Sequence, residues 1–293
     1  MIDLHVMTNA GGSVRLLCLD IDGTIVSSSG ELSPSVIEMV QALTKRNVYV
    51  VLATGRSMVA TVPVFESLGV SGHMVCSNGA ITAEVALGPP IQVRTIGMVA
   101  FRPGAALNEL IRVMPDAYVA VEGSWLGFRV NKEFAVGDLM GPQEVVSWAD
   151  LTSVDAIRVT IRDQNRAAGE LMHLLEHMGI GSAAYDILGR GWVDIIPPNV
   201  SKASALENIR KMLGVEKENT YACGDQLNDL EMLRWSAHSV AMGNSPAKLQ
   251  AVAAHVVGQV EDDGVLELLR PMLEGCTIWR TSEVSLNNVA RRK

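Results

Sequence analysis

Leu16-Leu17-Cys18-Leu19-Asp20-Ile21-Asp22-Gly23-Thr24 is an unbroken apolar run that ends in two carboxylates one residue apart and a glycine. A short, continuously apolar segment closed by a turn residue reads as a parallel strand buried on both faces. The acids therefore fall at the carboxyl end of a strand, where open α/β sheets place their ligands. On extended backbone Asp20 and Asp22 would point the same way, since side chains alternate with a period of two. Two like charges so close require a cation or a proton between them. The pattern suits magnesium and a reactive carboxylate, although Asp-Gly is also a common plain turn.

Three later segments repeat the logic. Asn47-Val48-Tyr49-Val50-Val51-Leu52-Ala53-Thr54-Gly55-Arg56 is a second buried-strand run. It delivers a hydroxyl, a flexible glycine and a guanidinium, and Thr54 with the nearby N–H groups suits phosphoryl oxygens. By itself, Thr-Gly closing a strand is an ordinary turn. In Pro198-Asn199-Val200-Ser201-Lys202, Ser201 reads as the N-cap of a helix through Leu206, Ile209 and Met212-Leu213, with Gly214 as its stop. A first-turn lysine opposes the helix dipole, so Lys202 points to phosphate binding unless it is simply solvated. Finally, Tyr221-Ala222-Cys223-Gly224-Asp225-Gln226-Leu227-Asn228-Asp229 is another short strand ending in acids. Asp225 is placed to complete a cation site with Asp20, whereas Asn228 and Asp229 also suit a helix start.

These four segments, in this order, resemble the haloacid dehalogenase superfamily of phosphohydrolases. DxDGT at Asp20–Thr24, ATGR at Ala53–Arg56, the lysine segment at Val200–Leu206 and GDxxNDxxML at Gly224–Leu233 are similar to its Cof-type sugar-phosphatase branch. Ser77-Asn78-Gly79-Ala80 also resembles a strand-end loop of that branch. The resemblance runs from about Val14 to about Leu273. It departs at Asn199, where glycine is usual, and at Gln226. It implies Asp20 as nucleophile and Asp22 as general acid and base. Thr54, Gly55, Arg56, Lys202 and Asn228 would bind substrate phosphate. Asp20, Asp22 (through the backbone there), Asp225 and Asp229 would form a magnesium site. The implied substrate is a small phosphorylated metabolite. A phosphosugar mutase on the same fold and a phosphorylatable regulatory protein are the alternative readings. His173-Leu174-Leu175-Glu176-His177 formally matches the HxxEH pattern of zinc peptidases, but its leucines make an ordinary amphipathic helix.

The rest of the chain agrees. With 293 residues, 48% hydrophobic and 19% charged, it can bury one large core or two. A formal charge of −8 argues against nucleic acid or an anionic membrane as partner. Cys18, Cys76, Cys223 and Cys276 lie far apart, without metal or disulfide spacing, which suggests buried thiols in the cytoplasm. No run reaches membrane length. The expected fold is α/β, a Rossmann-like doubly wound parallel sheet core with an inserted α+β cap domain. The core is expected over 14–85 and 193–275, the cap over 86–192, and flexible termini over 1–13 and 276–293. A monomer or weak homo-oligomer is expected. Within the cap, Ala156–Asp163 alternates Ile157, Val159 and Ile161 with Arg158, Thr160 and Arg162, which predicts a half-exposed strand with solvated arginines, or arginines offered to an anionic substrate.

Overall fold

A computed structural model describes residues 13–164, 166–177, 182–187 and 190–274. The expectations for the two termini, Cys276 included, lie outside the described residues. The chain opens with β1 (Arg15–Leu19), α1 (Pro34–Thr44), β2 (Val48–Ala53), α2 (Met58–Leu68), β3 (Gly72–Cys76), β4 (Ile81–Ala86) and β5 (Gln92–Met98). It then builds a second unit from α3 (Gly104–Val113), β6 (Tyr118–Glu122), β7 (Phe128–Val130), β8 (Gln143–Val145), α4 (Trp148–Ser153), β9 (Arg158–Asp163), α5 (Ala168–His177), β10 (Ser182–Ile187) and β11 (Arg190–Ile195). It returns through α6 (Lys202–Met212), β12 (Thr220–Gly224), α7 (Leu230–Trp235), β13 (His238–Ala241), α8 (Ala247–Gln250), β14 (His255–Val256) and α9 (Leu266–Glu274).

The first sheet has the order β14-β13-β12-β1-β2-β3-β4-β5, parallel up to β3 and antiparallel in β4 and β5. Its central strands β12, β1, β2 and β3 are buried on both faces, which explains their largely apolar character. Leu17 and Leu19 of β1 pack with α1, α2 and α9 residues such as Val40, Phe65 and Leu269. Leu16 and Cys18 pack on the opposite face against Leu206, Ile209 and Met232 of α6 and α7. The fold is thus a doubly wound α/β sheet. Because β2 continues on one side of β1 and β12 returns on the other, the chain switches direction at β1, and the crevice there is where such sheets bind ligands.

The cap sheet runs β10-β11-β9-β6-β7-β8. Val119, Val121, Val159, Ile161, Val193 and Ile195 face α3, α4 and α5, where Leu107, Leu110, Leu151, Leu171 and Leu175 complete a separate core. Two sequence expectations need correcting. The sheets, rather than residues 85 and 193, mark the unit boundaries: β5 pairs with β4 and carries the first sheet to Met98, while β11 carries the cap sheet to Ile195. Gly88-Pro89-Pro90 is therefore a turn within the core sheet. The second correction concerns β9, which is buried throughout, with Arg158 at 6% and Arg162 at 2% exposure. Alternation along β9 is real, but its polar side faces core loops and cap acids instead of water.

Candidate active site

The strand register assembles the site. Leu19 lies beside Cys223 on one side and Leu52 on the other, so Asp20, Asp225 and Thr54 leave three adjacent strands at the same edge. The Asp20 N–H donates to the Cys223 carbonyl at 3.0 Å, which extends the ladder by one residue and fixes the first acid. Beyond it the backbone turns. The Ile21 carbonyl accepts from Thr24, Ile25 and Val26, and Gly23 has φ +79°. A Cβ at Gly23 would lie 2.2 Å from Oδ2 of Asp225, so both backbone conformation and space require glycine there.

Lys202 supplies the site's buried cation. Ser201 caps α6, accepting from the Ser204 N–H while the Ser204 hydroxyl accepts from the Ser201 N–H. This places Lys202 at the first helical position with 1% exposure. Its Nζ donates to Oδ1 of Asp20 at 2.7 Å and to Oδ1 of Asp229 at 2.6 Å. Asn199 stands at φ +61°, a left-handed conformation that asparagine tolerates, so the departure from glycine keeps the loop's shape. Gly79 lets the 77–79 loop approach this helix start, since a Cβ there would sit 2.3 Å from the Ser201 carbonyl oxygen.

Asp20, Asp225 and Asp229 are buried, and their ligating atoms lie within 4.8 Å of one another. Oδ2 of Asp229 accepts the backbone N–H groups of Asp225 and Gln226, each at 3.0 Å, so this carboxylate shapes the 225–229 turn as well as holding Lys202. Asp225 accepts from Thr24, Gln226 and Asn244 at 3.3, 3.0 and 3.3 Å. Burial, with the Asp229 and Asp225 charges, holds the Asp20 carboxyl well above the usual range despite Lys202. Burial and Asp229 push Asp225 up to about 6. For Lys202 burial works against the charge, but the two carboxylates outweigh it and hold its ammonium above the usual range.

Asp22 lies apart from this cluster. Its side chain is 60% exposed and receives both Nη2 and Nε of Arg56, at 2.5 and 2.8 Å. The turn that begins at Ile21 gives the two acids different partners, Lys202 for Asp20 and Arg56 for Asp22. Arg56 contacts Asp22 and the Ala60 carbonyl. Thr54 is buried at the end of β2, and its hydroxyl oxygen accepts the Arg56 N–H at 3.0 Å. Asn228 donates to Oδ1 of Asn78 at 3.0 Å, tying the 225–229 turn to the 77–79 loop.

Asn244 escaped the sequence reading. It follows β13, donates to the Gly23 carbonyl at 2.9 Å, and accepts the Val260 N–H. Its only sequence signal is a Gly-Asn pair after a short apolar strand, which a plain turn would also give. Glu122 and Asp194 of the cap were missed too, although a lone acid within an apolar strand could have flagged them. The rings of His173 and His177 lie 4.2 Å apart on an exposed side of α5. Among the described residues, Asp20, Asp225 and Asp229 form the one group of three or more side chains suited to a metal ion. Cys18, Cys76 and Cys223 are free and buried. No helix among the described residues is long and apolar enough to cross a membrane.

Comparison with known proteins agrees with this geometry. The chain matches the haloacid dehalogenase-like hydrolase family model over residues 17–102 and 130–269. It is 25% identical to the HMP-PP phosphatase of Serratia proteamaculans, over 88% of this chain and 95% of that protein. It is 26% identical to the 5-amino-6-(5-phospho-D-ribitylamino)uracil phosphatase YitU of Bacillus subtilis, covering 87% and 96%. Its fold is similar to that of the HAD subclass IIB sugar phosphatase BT4131, with a TM-score of 0.72, 21% identity, and 88% and 98% of the two chains covered. With a matching family model over most of its length and phosphatases among the proteins it resembles end to end, the chain belongs to the haloacid dehalogenase-like hydrolases, as a phosphomonoester hydrolase.

Proposed function

We propose that this protein is a magnesium-dependent phosphatase that hydrolyses small phosphomonoesters, sugar phosphates foremost, through an aspartyl-phosphate at Asp20. The observation that carries the reading is the buried Asp20–Lys202–Asp229 bridge beside Asp225 at the switch point of the sheet. A structural ion pair needs one acid; this lysine bridges two, with a third beside them.

The donor set fits magnesium. Three carboxylates against one ammonium leave two formal negative charges uncompensated when all the acids ionise. All-oxygen donors suit a hard divalent cation. Asp20 and Asp225 would hold it, with Asp229 and Asn228 orienting the surroundings, while the Asp22 carboxylate stays with Arg56. Bound there, magnesium would neutralise phosphate charge that otherwise repels an attacking carboxylate.

The chain's own residues then divide the work. Lys202 fixes the orientation of the Asp20 carboxylate and offers positive charge to the phosphoryl oxygens. Thr54 and the N–H groups of its turn offer hydrogen bonds to the same oxygens. An Asp20 oxygen forms a bond to phosphorus as the bond to the leaving oxygen breaks. Asp22, exposed at the mouth and steered by Arg56, gives its proton to the departing alkoxide. It next takes a proton from water, whose oxygen bonds phosphorus as the Asp20–phosphorus bond breaks, and inorganic phosphate leaves.

The buried polar side of the cap suits a hydroxyl-rich leaving group, and the sugar-phosphatase relative supports that class. The free buried thiols suit a reducing cytoplasm. The test is phosphate release from a panel of small phosphomonoesters, with and without magnesium, for wild type and Asp20→Asn. Magnesium-dependent release that a folded Asp20→Asn variant loses is expected. Full residual activity in that variant would refute the assignment.

A further inference from the structure

A second buried constellation lies on the core-facing side of the cap sheet. Arg158 of β9 sits between two cap acids: its Nε and Nη2 donate to Oε2 of Glu122 at 3.0 and 2.8 Å, and its Nη1 approaches Oδ2 of Asp194 at 3.3 Å. Oδ1 of Asp194 is taken by Thr160 at 2.7 Å. Two carboxylates already neutralise this guanidinium. Even so, Nη1 reaches across to the core and donates to the Gly55 carbonyl at 2.5 Å.

Gly55 is the middle of the turn that carries the phosphate-binding groups. Thr54 precedes it, and Arg56, which grips Asp22, follows it. A carbonyl in a strand-end turn has no ladder partner and needs another donor when the cap excludes water. Arginine supplies it from a planar, rigid fork that two acids hold in place. The cap grips neighbouring core loops as well. Ser77 donates to Oε2 of Glu122 at 2.8 Å, and Ser57 donates to the Met140 carbonyl at 3.3 Å.

We propose that Arg158 is a positioning residue: from the cap, it fixes the Gly55 peptide and thereby sets Thr54 and the Arg56–Asp22 pair. The phosphate-binding turn is therefore complete only while the cap lies on the core. Lifting the cap returns the Gly55 carbonyl to water and frees the turn. The kinetic consequence rests on the phosphatase reading; the tether itself does not.

Arg158→Met in the full chain tests this, with Arg158→Met/Glu122→Gln as the second variant should circular dichroism show the first to be unfolded, since it leaves one uncompensated acid fewer. Without substrate, hydrogen exchange at the 54–57 amides should rise about tenfold or more while β1 and β12 stay protected. With p-nitrophenyl phosphate, kcat should fall about 10- to 100-fold. Because Arg158 acts through the turn, adding Arg158→Met to Thr54→Ala should lower kcat by less than about threefold further. Unchanged exchange at 54–57, or losses that multiply in the double variant, would overturn the proposal. A wild type that hydrolyses no phosphomonoester would refute the phosphatase reading instead, and the exchange measurement would still decide the tether.

Discussion

Replacing Lys202 by methionine keeps the length of the side chain and removes its charge. Lys202 is fully buried against Asp20 and Asp229 at 2.7 and 2.6 Å, and those side chains are 7% and 0% exposed. Breaking a buried pair strands the remaining charge at a cost of about 3–5 kcal/mol, a fifth or more of a typical domain's stability. The cost should depend on pH. Both about pH 5 and about pH 7.5 lie below the ordinary lysine value, so Lys202 is charged in wild type at either pH. The Asp20 carboxyl is already raised, and losing Lys202 raises it further. A raised acid favours folding at low pH and loses that contribution as pH climbs through its folded value. The variant's penalty is therefore smaller at lower pH, where Asp20 takes up its proton more readily, and grows as pH rises. Urea unfolding in EDTA should show about 3–5 kcal/mol lost near pH 7.5 and a smaller loss near pH 5. A loss below about 1 kcal/mol near pH 7.5, or the same loss at both, would refute the charge argument.

Asp22→Asn should cut turnover about 10²- to 10⁴-fold while thermal stabilisation by MgCl₂ survives, because this carboxylate stands outside the buried cluster. Loss of the magnesium response would place Asp22 in the cation site. Gly23→Ala, which forces a side chain onto φ +79° and into Asp225, should cost about 1–3 kcal/mol and abolish the MgCl₂ response; a wild-type response would contradict the close packing. Metal-free protein should lose stability as pH rises through about 6, because Asp225 rises from an ordinary 3.8 to about 6, equivalent to about 3 kcal/mol. Magnesium, favoured by the ionised acid, should therefore raise Tm more near pH 7.5 than near pH 5, and a pH-independent rise would count against this site.

Much of the site was legible because buried parallel strands announce themselves. The runs before Asp20, Thr54 and Asp225 have no polar side, so the first polar residue after each marks the sheet's ligand edge. Ser201 likewise marked the start of α6 and placed Lys202 in its first turn. What escaped depends on contacts distant in sequence. Lys202 meets Asp20 across 182 positions, which no local pattern encodes. The turn at Ile21 leaves Asp20 buried against Lys202 and Asp22 exposed against Arg56, a difference in partners that the spacing alone did not reveal. The alternation of β9 is that of a solvated strand, yet Arg158 reaches the core at Gly55, while Thr160 and Arg162 are buried with Asp194 and Asp138 of the cap itself. β5 is largely exposed and follows a Gly-Pro-Pro turn, so only its pairing with β4 reveals that it belongs to the core.

The central claim is that Asp20 attacks phosphorus. Quenching the enzyme during turnover with borohydride, which reduces an acyl phosphate to an alcohol, and then mapping the product by peptide mass spectrometry tests it most directly. Homoserine at position 20, absent from unreacted protein, is the expected result. Steady turnover with no reduced aspartate, or reduction at Asp22 or Asp225 instead, would contradict it.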